Sequence, residues 1–535
     1  MPAAAHTPAQ TPARAAASAS DVVLAYHRRS KHALHRYAAG PGAVDWDAQP
    51  DPFRHWRGTR RYALPRALAA PGVSWSQLQT RRAPVALDLD ALSTLLRLTV
   101  GLTAWKSYAG ARWSLRVHPS SGNLHPTETW VIAQWIEGLP DGLYHYQARE
   151  HALEWRAVRL AAAERPGLWL GFSSVHWREA WKYGERAFRY CQLDLGHVLA
   201  ALAHAAALLG WRPRLLSLDT GAIARSLGLD RECDYAGVEA EEAAAIVALQ
   251  TEAAPPLDWD EWSGVPSLLD PQRKLHWPVI DAVAAATRGA LPATAHGPRH
   301  LVAAEGGRGD THAQGAAGDA AATQVILGRR SAQAFDGHAL MPLQTLRQVL
   351  RAMLPQGAPV WDLWPQAPRV HPVLMVHRVA GLRPGLYCLP RQEAARSALQ
   401  DAMRARFEWQ RADTELPLYR LVAARCGNVA RTLACHQDIA ADSAVTFLFV
   451  ADFARSLAEA PAAYRHLHWE AGMLGHAATL AAEAAGWRGT GIGCFFDDAA
   501  HEVLGLTDEG YQVLYLYAIG QARADPRIQT LPAYA

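Results

Sequence analysis

The sequence predicts two like domains fused in tandem, each built from strands and long helices. Three observations carry this. The chain has 535 residues, more than a single core usually holds. Helix-period and buried-strand patterns alternate in both halves. The halves also repeat one another. Ala187–Arg212 aligns without a gap on Ala463–Arg488. Ala187, Arg189, Gly196, Gly210, Trp211 and Arg212 recur as Ala463, Arg465, Gly472, Gly486, Trp487 and Arg488. Alanine matches between helices carry little weight. A glycine kept in mid-helix costs about 1 kcal/mol relative to alanine, so it implies that another backbone approaches closely there.

In chain order, residues 1–20 are Ala, Pro, Ser and Thr and read as a disordered tail. The first domain spans 21–250. Residues 21–62 are rich in His, Arg, Trp and Pro and show no strong periodicity. Leu92–Leu102 has helical leucine spacing, with Asp88 or Asp90 as N-cap. The polar turn Arg116–Glu128 then feeds a buried strand, Trp130–Ile136. Gly142-Leu143-Tyr144 turns into another strand. Trp177–Trp211 reads as one long helix closed by Gly210. Residues 240–250 fit a strand or a helix. Residues 251–322 read as a linker, most flexible from about Thr287.

The second domain, 323–535, opens with ILGRRSAQAFDG. A helix over Leu343–Met353, strands at Val373–Val379 and Val445–Val450, a helix over Tyr464–Gly486 and a last strand Gln512–Ile519 follow. Arg116-Val117-His118-Pro119 resembles Arg369-Val370-His371-Pro372, and Gly142-Leu143-Tyr144 resembles Gly385-Leu386-Tyr387. Between these anchors the first copy is longer, and the excess holds Ser120-Ser121-Gly122-Asn123. Conversely, RRSAQAFDG has no clear partner in the first copy. Each copy keeps a polar segment that the other lacks. A fused pair of like domains associates as a pseudo-twofold dimer, so complementary losses imply one complete composite site between them.

Composition excludes several classes. Lys plus Arg number 53 against 50 Asp plus Glu, a net charge of +3, which announces neither a nucleic-acid nor a membrane surface. The six cysteines are scattered, with no C-x-x-C pair, disulfide framework or zinc ribbon. No signal peptide is evident, and the longest apolar stretch, around Val198–Gly210, reads as too short for a bilayer; a cytoplasmic protein is expected. His466, His468, Glu470 and His476 lack a ligating spacing, so no metal is expected.

Arg329-Arg330-Ser331-x-Gln333-x-Phe335-Asp336, the Pro-Ser-Ser-Gly-Asn loop and Gly491-x-Gly493-x-Phe495-x-Asp497 before Leu504-Gly505-Leu506 resemble the FMN-dependent nitroreductase superfamily. The resemblance covers about residues 90–250 and 323–522 and points to the azoline (thiazoline/oxazoline) oxidase branch. It implies an α+β fold, a mixed sheet flanked by helices in each of two domains, and FMN bound at the domain interface. Arg329, Arg330 and Ser331 would then hold the phosphate and ribityl end, through charge-assisted guanidinium contacts. Gln333 would reach the ring edge. Pro119, Ser120, Ser121 and Asn123 would meet the isoalloxazine from the other domain, and the backbone at Gly491, Gly493 and Cys494 would lie near the ring. Arg523, or alternatively Arg527, would add a phosphate contact. Lys182 and Tyr183 resemble the Lys-Tyr pair linked to proton removal in azoline oxidases.

The Arg28-Arg29-Ser30-Lys31 run reads as a surface patch. The direction of electron flow stays open. One reading is dehydrogenation of a heterocyclic, azoline-like or related small or peptidic substrate. Another is nitro or quinone reduction with NAD(P)H as a transient reductant. A degenerate flavin-binding scaffold in a biosynthetic complex is the reading from a different class.

Overall fold

A computed structural model describes residues 17–161, 163–272, 275–292 and 319–534. Of the tail expected over 1–20, residues 1–16 lie outside the described residues, whereas Ser18 caps and Ala19 and Ser20 open a helix; of the flexible linker expected from about 287 to 322, residues 293–318 lie outside the described residues. The first half begins with α1 (Ala19–Arg29), closed at its start by a Ser18–Asp21 capping box. α2 (Leu89–Thr99) starts where the Asp88 carboxylate accepts from the Ala91 N–H. A hairpin follows, β1 (Leu102–Tyr108) and β2 (Ala111–Arg116), turning through Ala109 and Gly110, both at positive φ. Then come β3 (Thr127–Gln134), β4 (Gly142–Gln147), β5 (Ala152–Val158), β6 (Gly167–Ser174), α3 (His176–Tyr183), α4 (Ala187–Leu208), β7 (Glu242–Leu249) and α5 (Pro278–Ala286).

The second half holds α6 (Ala322–Gly328), α7 (Leu343–Met353), β8 (Val370–Val376), β9 (Gly385–Cys388), β10 (Tyr419–Ala423) and β11 (Val445–Asp452). α8 (Ala463–Ala484), β12 (Arg488–Ile492), β13 (Tyr511–Gly520) and β14 (Gln529–Leu531) complete it.

The internal repeat is visible in the sheets. The first runs Glu261–Trp262, β5, β4, β3, β6, β7, Arg214–Leu215; the second runs Gln410–Arg411, β10, β9, β8, β11, β13, β12. Matching ladders set the alignment: Ala133 pairs with Gly142 as Val376 pairs with Gly385. Every ladder between these strands is antiparallel, so the sheets of this α+β fold are antiparallel rather than mixed in strand direction. The pairs β3–β4, β4–β5 and β8–β9 are joined by turns too short for a parallel crossover.

Between the sheets, α4 and α8 pack side by side in one continuous apolar core shared by both halves. The mid-helix glycine repeated in both halves explains the close crossing. A Cβ on Gly196 would run into the Trp469 carbonyl, and one on Gly472 into the Leu193 carbonyl. The recurring arginines also act reciprocally. Arg189 pairs with Asp497 of the second half at 2.6 Å, and Arg465 with Glu242 of the first at 2.9 Å.

Four expectations need correction. The helix predicted over 177–211 is broken at Gly184 (φ 55), because the Ala39–Gly40 backbone crosses where a Cβ would stand. The run 176–208 is apolar and long enough to cross a membrane, contrary to the shorter stretch read from sequence, but 94% of its most apolar window is buried inside the protein. Part of the expected linker belongs to the first domain: Glu261–Trp262 pairs with β5, and α5 packs on α1 and α4. The Arg28–Lys31 run is not a free patch. Arg28 pairs with Glu509, Arg29 with Glu185 and Lys31 with Asp498, which ties α1 and its C-terminal end across both halves.

Candidate functional site

The loop between β2 and β3 is held in an unusual backbone shape. Gly122, Asn123 and His125 all have positive φ, 59°, 60° and 52°. Non-glycine residues hold such angles only where the surroundings enforce them. Here the enforcing groups are buried. The Asp194 carboxylate on α4 accepts from the Ser120 hydroxyl at 2.6 Å, the Ser121 hydroxyl at 2.9 Å and the Ser121 N–H at 3.0 Å. The Asn123 amide donates to the Ser114 carbonyl, and Arg178 donates to the His125 carbonyl. Burial pushes the Asp194 carboxyl up to about 7, although the serine hydrogen bonds favour its charged form.

This loop forms one wall of a cavity of about 500 Å³. Pro119, Ser120 and Asn123 line it from the first half; Arg329, Arg330, Ser331, Gln333 and Arg523 line it from the second. The C-terminal arm closes one side, because β14 adds to β1, with Thr530 opposite Lys106. Two cations that sequence reasoning missed also reach the cavity, Lys106 and Arg488. The signal for Arg488 was present in the repeated Gly-Trp-Arg. The signal for Lys106 lay in the alternating pattern on either side of Ala109-Gly110, a hairpin mark.

The arginines differ in their environment. Arg329 is buried and donates to the Val117 carbonyl at 2.6 Å and the Arg116 carbonyl at 3.1 Å, and also to the Ser331 hydroxyl. It therefore clamps the second half onto the base of the Ser-Ser-Gly-Asn loop. Burial lowers its guanidinium to about 10. Arg330 donates to carbonyls of Leu327, Arg329 and Thr103. Burial and then Arg488 hold Arg330 below the usual guanidinium range; burial and then Arg330 and Arg488 do the same to the Lys106 ammonium. Like charges are thus crowded at one end of the cavity. That donor set fits an anionic, phosphate-bearing cofactor, whose charge would relieve the mutual repulsion.

Ser121, Lys182, Tyr183, Gly491, Gly493 and Cys494 do not line this cavity, yet several touch its loop through a chain of rings. The Tyr183 hydroxyl stands 2.6 Å from where a Cβ on Gly122 would be. Tyr183 packs edge-on to Tyr190, with ring centroids 4.8 Å apart, and Tyr190 fills the space a Cβ on Gly493 would need. The Gly493 carbonyl accepts from Arg186. Gly491 is pressed against the Tyr515 hydroxyl, so it too has no room for a side chain. The Lys182 ammonium lies 5.1 Å from the Trp46 ring centroid and 5.2 Å from that of Tyr183. Burial lowers Lys182, with Glu179 opposing, whereas burial and then Glu179 raise Tyr183 well above a normal phenol. Sequence reasoning treated the two as one pair; their environments push them apart.

Residues 326–521 match the family described as Nitroreductase. The trifolitoxin-processing protein TfxB of Rhizobium leguminosarum bv. trifolii is 31% identical over 147 residues, covering 24% of this chain and 39% of that protein. The nitroreductase-like protein MJ1384 of Methanocaldococcus jannaschii is 26% identical over 124 residues, covering 21% of this chain and 59% of its own length. The chain thus spans less than two thirds of either curated relative. A crystal structure of a nitroreductase-like protein from Anabaena variabilis superposes with a TM-score of 0.66 at 23% identity, over 94% of this chain and 99% of that one. Its fold therefore runs through both halves, and residues 326–521 carry a match to the nitroreductase family.

Proposed function

We propose that this protein is an FMN-dependent oxidoreductase with one composite flavin site, which dehydrogenates a heterocyclic, azoline-like substrate of small or peptidic origin. The observation that carries the reading is the shared cavity. The Arg329-Arg330-Ser331-x-Gln333 segment of one half and the Pro119–Asn123 loop of the other, each present in one copy only, line the same space. A volume of about 500 Å³ is that of a cofactor site. The likeness to a trifolitoxin-processing protein supports a peptide-derived substrate.

Arg330, Arg488, Lys106 and Arg523 would hold the phosphate, with Ser331 and Gln333 toward the rest of the cofactor. Bound FMN would supply a ring that takes up a hydride. The chain's own task is then to remove a proton. Lys182, whose ammonium is destabilised by burial, is the group suited to accept it. Tyr183 stays a neutral phenol and orients by donating a hydrogen bond. Tyr183 and Tyr190 pack edge-on to one another, and the Trp46 ring lies against the Lys182 ammonium.

Purified protein should be yellow and release one FMN per chain. Lys182→Met should retain that flavin yet lose dehydrogenation, by about 10²–10⁴-fold for a lost general base. Two flavins per chain would overturn the composite site, and colourless protein that takes up no added FMN would overturn the enzyme. Turnover of quinones or nitroaromatics with NAD(P)H, unchanged by Lys182→Met, would favour the reductase reading.

A further inference from the structure

Beside the candidate site, two thiols from distant parts of the second half meet. The Sγ atoms of Cys435 and Cys494 are 2.6 Å apart, and both residues are partly exposed. Backbone contacts bring them together. The Phe496 N–H donates to the Leu433 carbonyl at 2.9 Å, so the two segments lie side by side with a cysteine two residues from each partner. Cys435 and His436 both sit in the left-handed region, with φ of 52° and 62°. Two consecutive non-glycine residues hold this conformation only under local constraint. The strained turn is what aims Cys435 at Cys494.

The surroundings make the two thiols unequal. The Cys435 and Cys494 thiols share a hydrogen bond, and His32 approaches Cys494 from the first half. The His32 Nδ1 accepts the Ala38 N–H at 2.9 Å, so a neutral ring carries its proton on Nε2. Hydrogen bonding from Cys435, with a further contribution from His32 against the opposing effect of burial, lowers Cys494 to about 5, while Cys435 is raised. A thiolate next to a protonated thiol is the arrangement that thiol–disulfide exchange uses.

We infer that Cys435 and Cys494 form a reversible dithiol–disulfide couple, with Cys494 the attacking sulfur and Cys435 the resolving one. The oxidant is a small-molecule disulfide. Cys494 attacks one of its sulfurs, a new S–S bond forms to Cys494, and one thiolate leaves. Cys435 gives its proton to that thiolate and attacks the Cys494 sulfur, and the second small molecule leaves as a thiolate that takes its proton from water. The two protein sulfurs lose two electrons together, and the small disulfide is reduced to one thiol and one thiolate.

The test uses the full chain with Cys233→Ser, which removes the one exposed cysteine among the six. The protein is exposed to oxidised glutathione, remaining thiols are alkylated, and peptides are mapped without reduction. A Cys435–Cys494 linked peptide that dithiothreitol dissolves is expected. Adding Cys435→Ser should trap a glutathione adduct on Cys494, and adding Cys494→Ser should leave Cys435 unmodified. Alkylated Cys435 and Cys494 with no linked peptide, or separate glutathiones on both, would overturn the couple. The linkage map on the Cys435- and Cys494-containing protein decides the matter even if either further variant fails to fold.

Discussion

Asp194 shows how one side chain can govern the geometry of a site that it does not line. It holds Ser120 and Ser121 from beneath, and its removal leaves three donors without their acceptor. Asp194→Ala should cost about 1–3 kcal/mol for each donor left unsatisfied, measured by urea unfolding, if water does not replace the carboxylate. The pH dependence has a definite sign. The folded carboxyl titrates near 7, above its ordinary value of 3.8, so the folded state holds the proton longer. Its contribution is greatest below about pH 4 and declines until about pH 7. Wild type should therefore lose stability relative to Asp194→Asn between those limits. A melting-temperature difference between the two that stays flat with pH would contradict the assigned environment. Arg329 makes a second residue-scale case. Arg329→Lys keeps the charge but not the fork that grips the Arg116 and Val117 carbonyls, so under the proposed FMN reading the flavin retained per purified chain should fall although the cavity keeps its charge.

At the scale of elements, the helix pair α4–α8 is the part most legible beforehand. The recurring glycine implied a close backbone approach, and Gly196 and Gly472 do stand against each other's helices. Gly196→Ala or Gly472→Ala should each destabilise by about 1–3 kcal/mol, the usual cost of overpacking. Gly72→Ala, with open space around it, serves as the comparison in the same thermal melts. Equal melting temperatures for all three would mean that the helices part without cost. The hairpin β1–β2 was the opposite case. Its short strands precede a conspicuous polar loop, and only pairing with β14, more than 400 residues later, makes it a sheet. No window of local sequence contains that partner.

Across the whole molecule, the two halves exchange arms. α1 of the first half lies on the second, through His27 with Gln512 and Arg28 with Glu509. The C-terminal arm of the second half lies on the first, where the Tyr534 hydroxyl accepts from the Leu102 N–H and donates to the Ala148 carbonyl. Deleting residues 529–535 should leave both large sheets intact, since neither contains β14. It should unprotect the amides of β1 and weaken flavin retention, because Thr530 lines the cavity. Hydrogen exchange and flavin content of the truncated chain would check this. Full retention with normal protection would show that the arm is dispensable.

Sequence patterns alone gave the internal repeat, the long helix of each half, several core strands and the polar segments that each copy keeps. Those properties are encoded locally, by hydrophobic period, by capping residues such as Asp88 and by motif identity. What only the tertiary structure decided was which donors remain free for a ligand. Arg329 reads from its motif as a phosphate ligand, yet much of its hydrogen bonding goes to carbonyls of the other half. Arg488 reads only as part of the internal repeat and Lys106 as unremarkable, yet both reach the cavity. Lys182 and Tyr183 are adjacent in sequence and are driven in opposite directions by burial, since burial favours the neutral form of each. Burial and partnership depend on segments hundreds of residues apart, and no local pattern carries them.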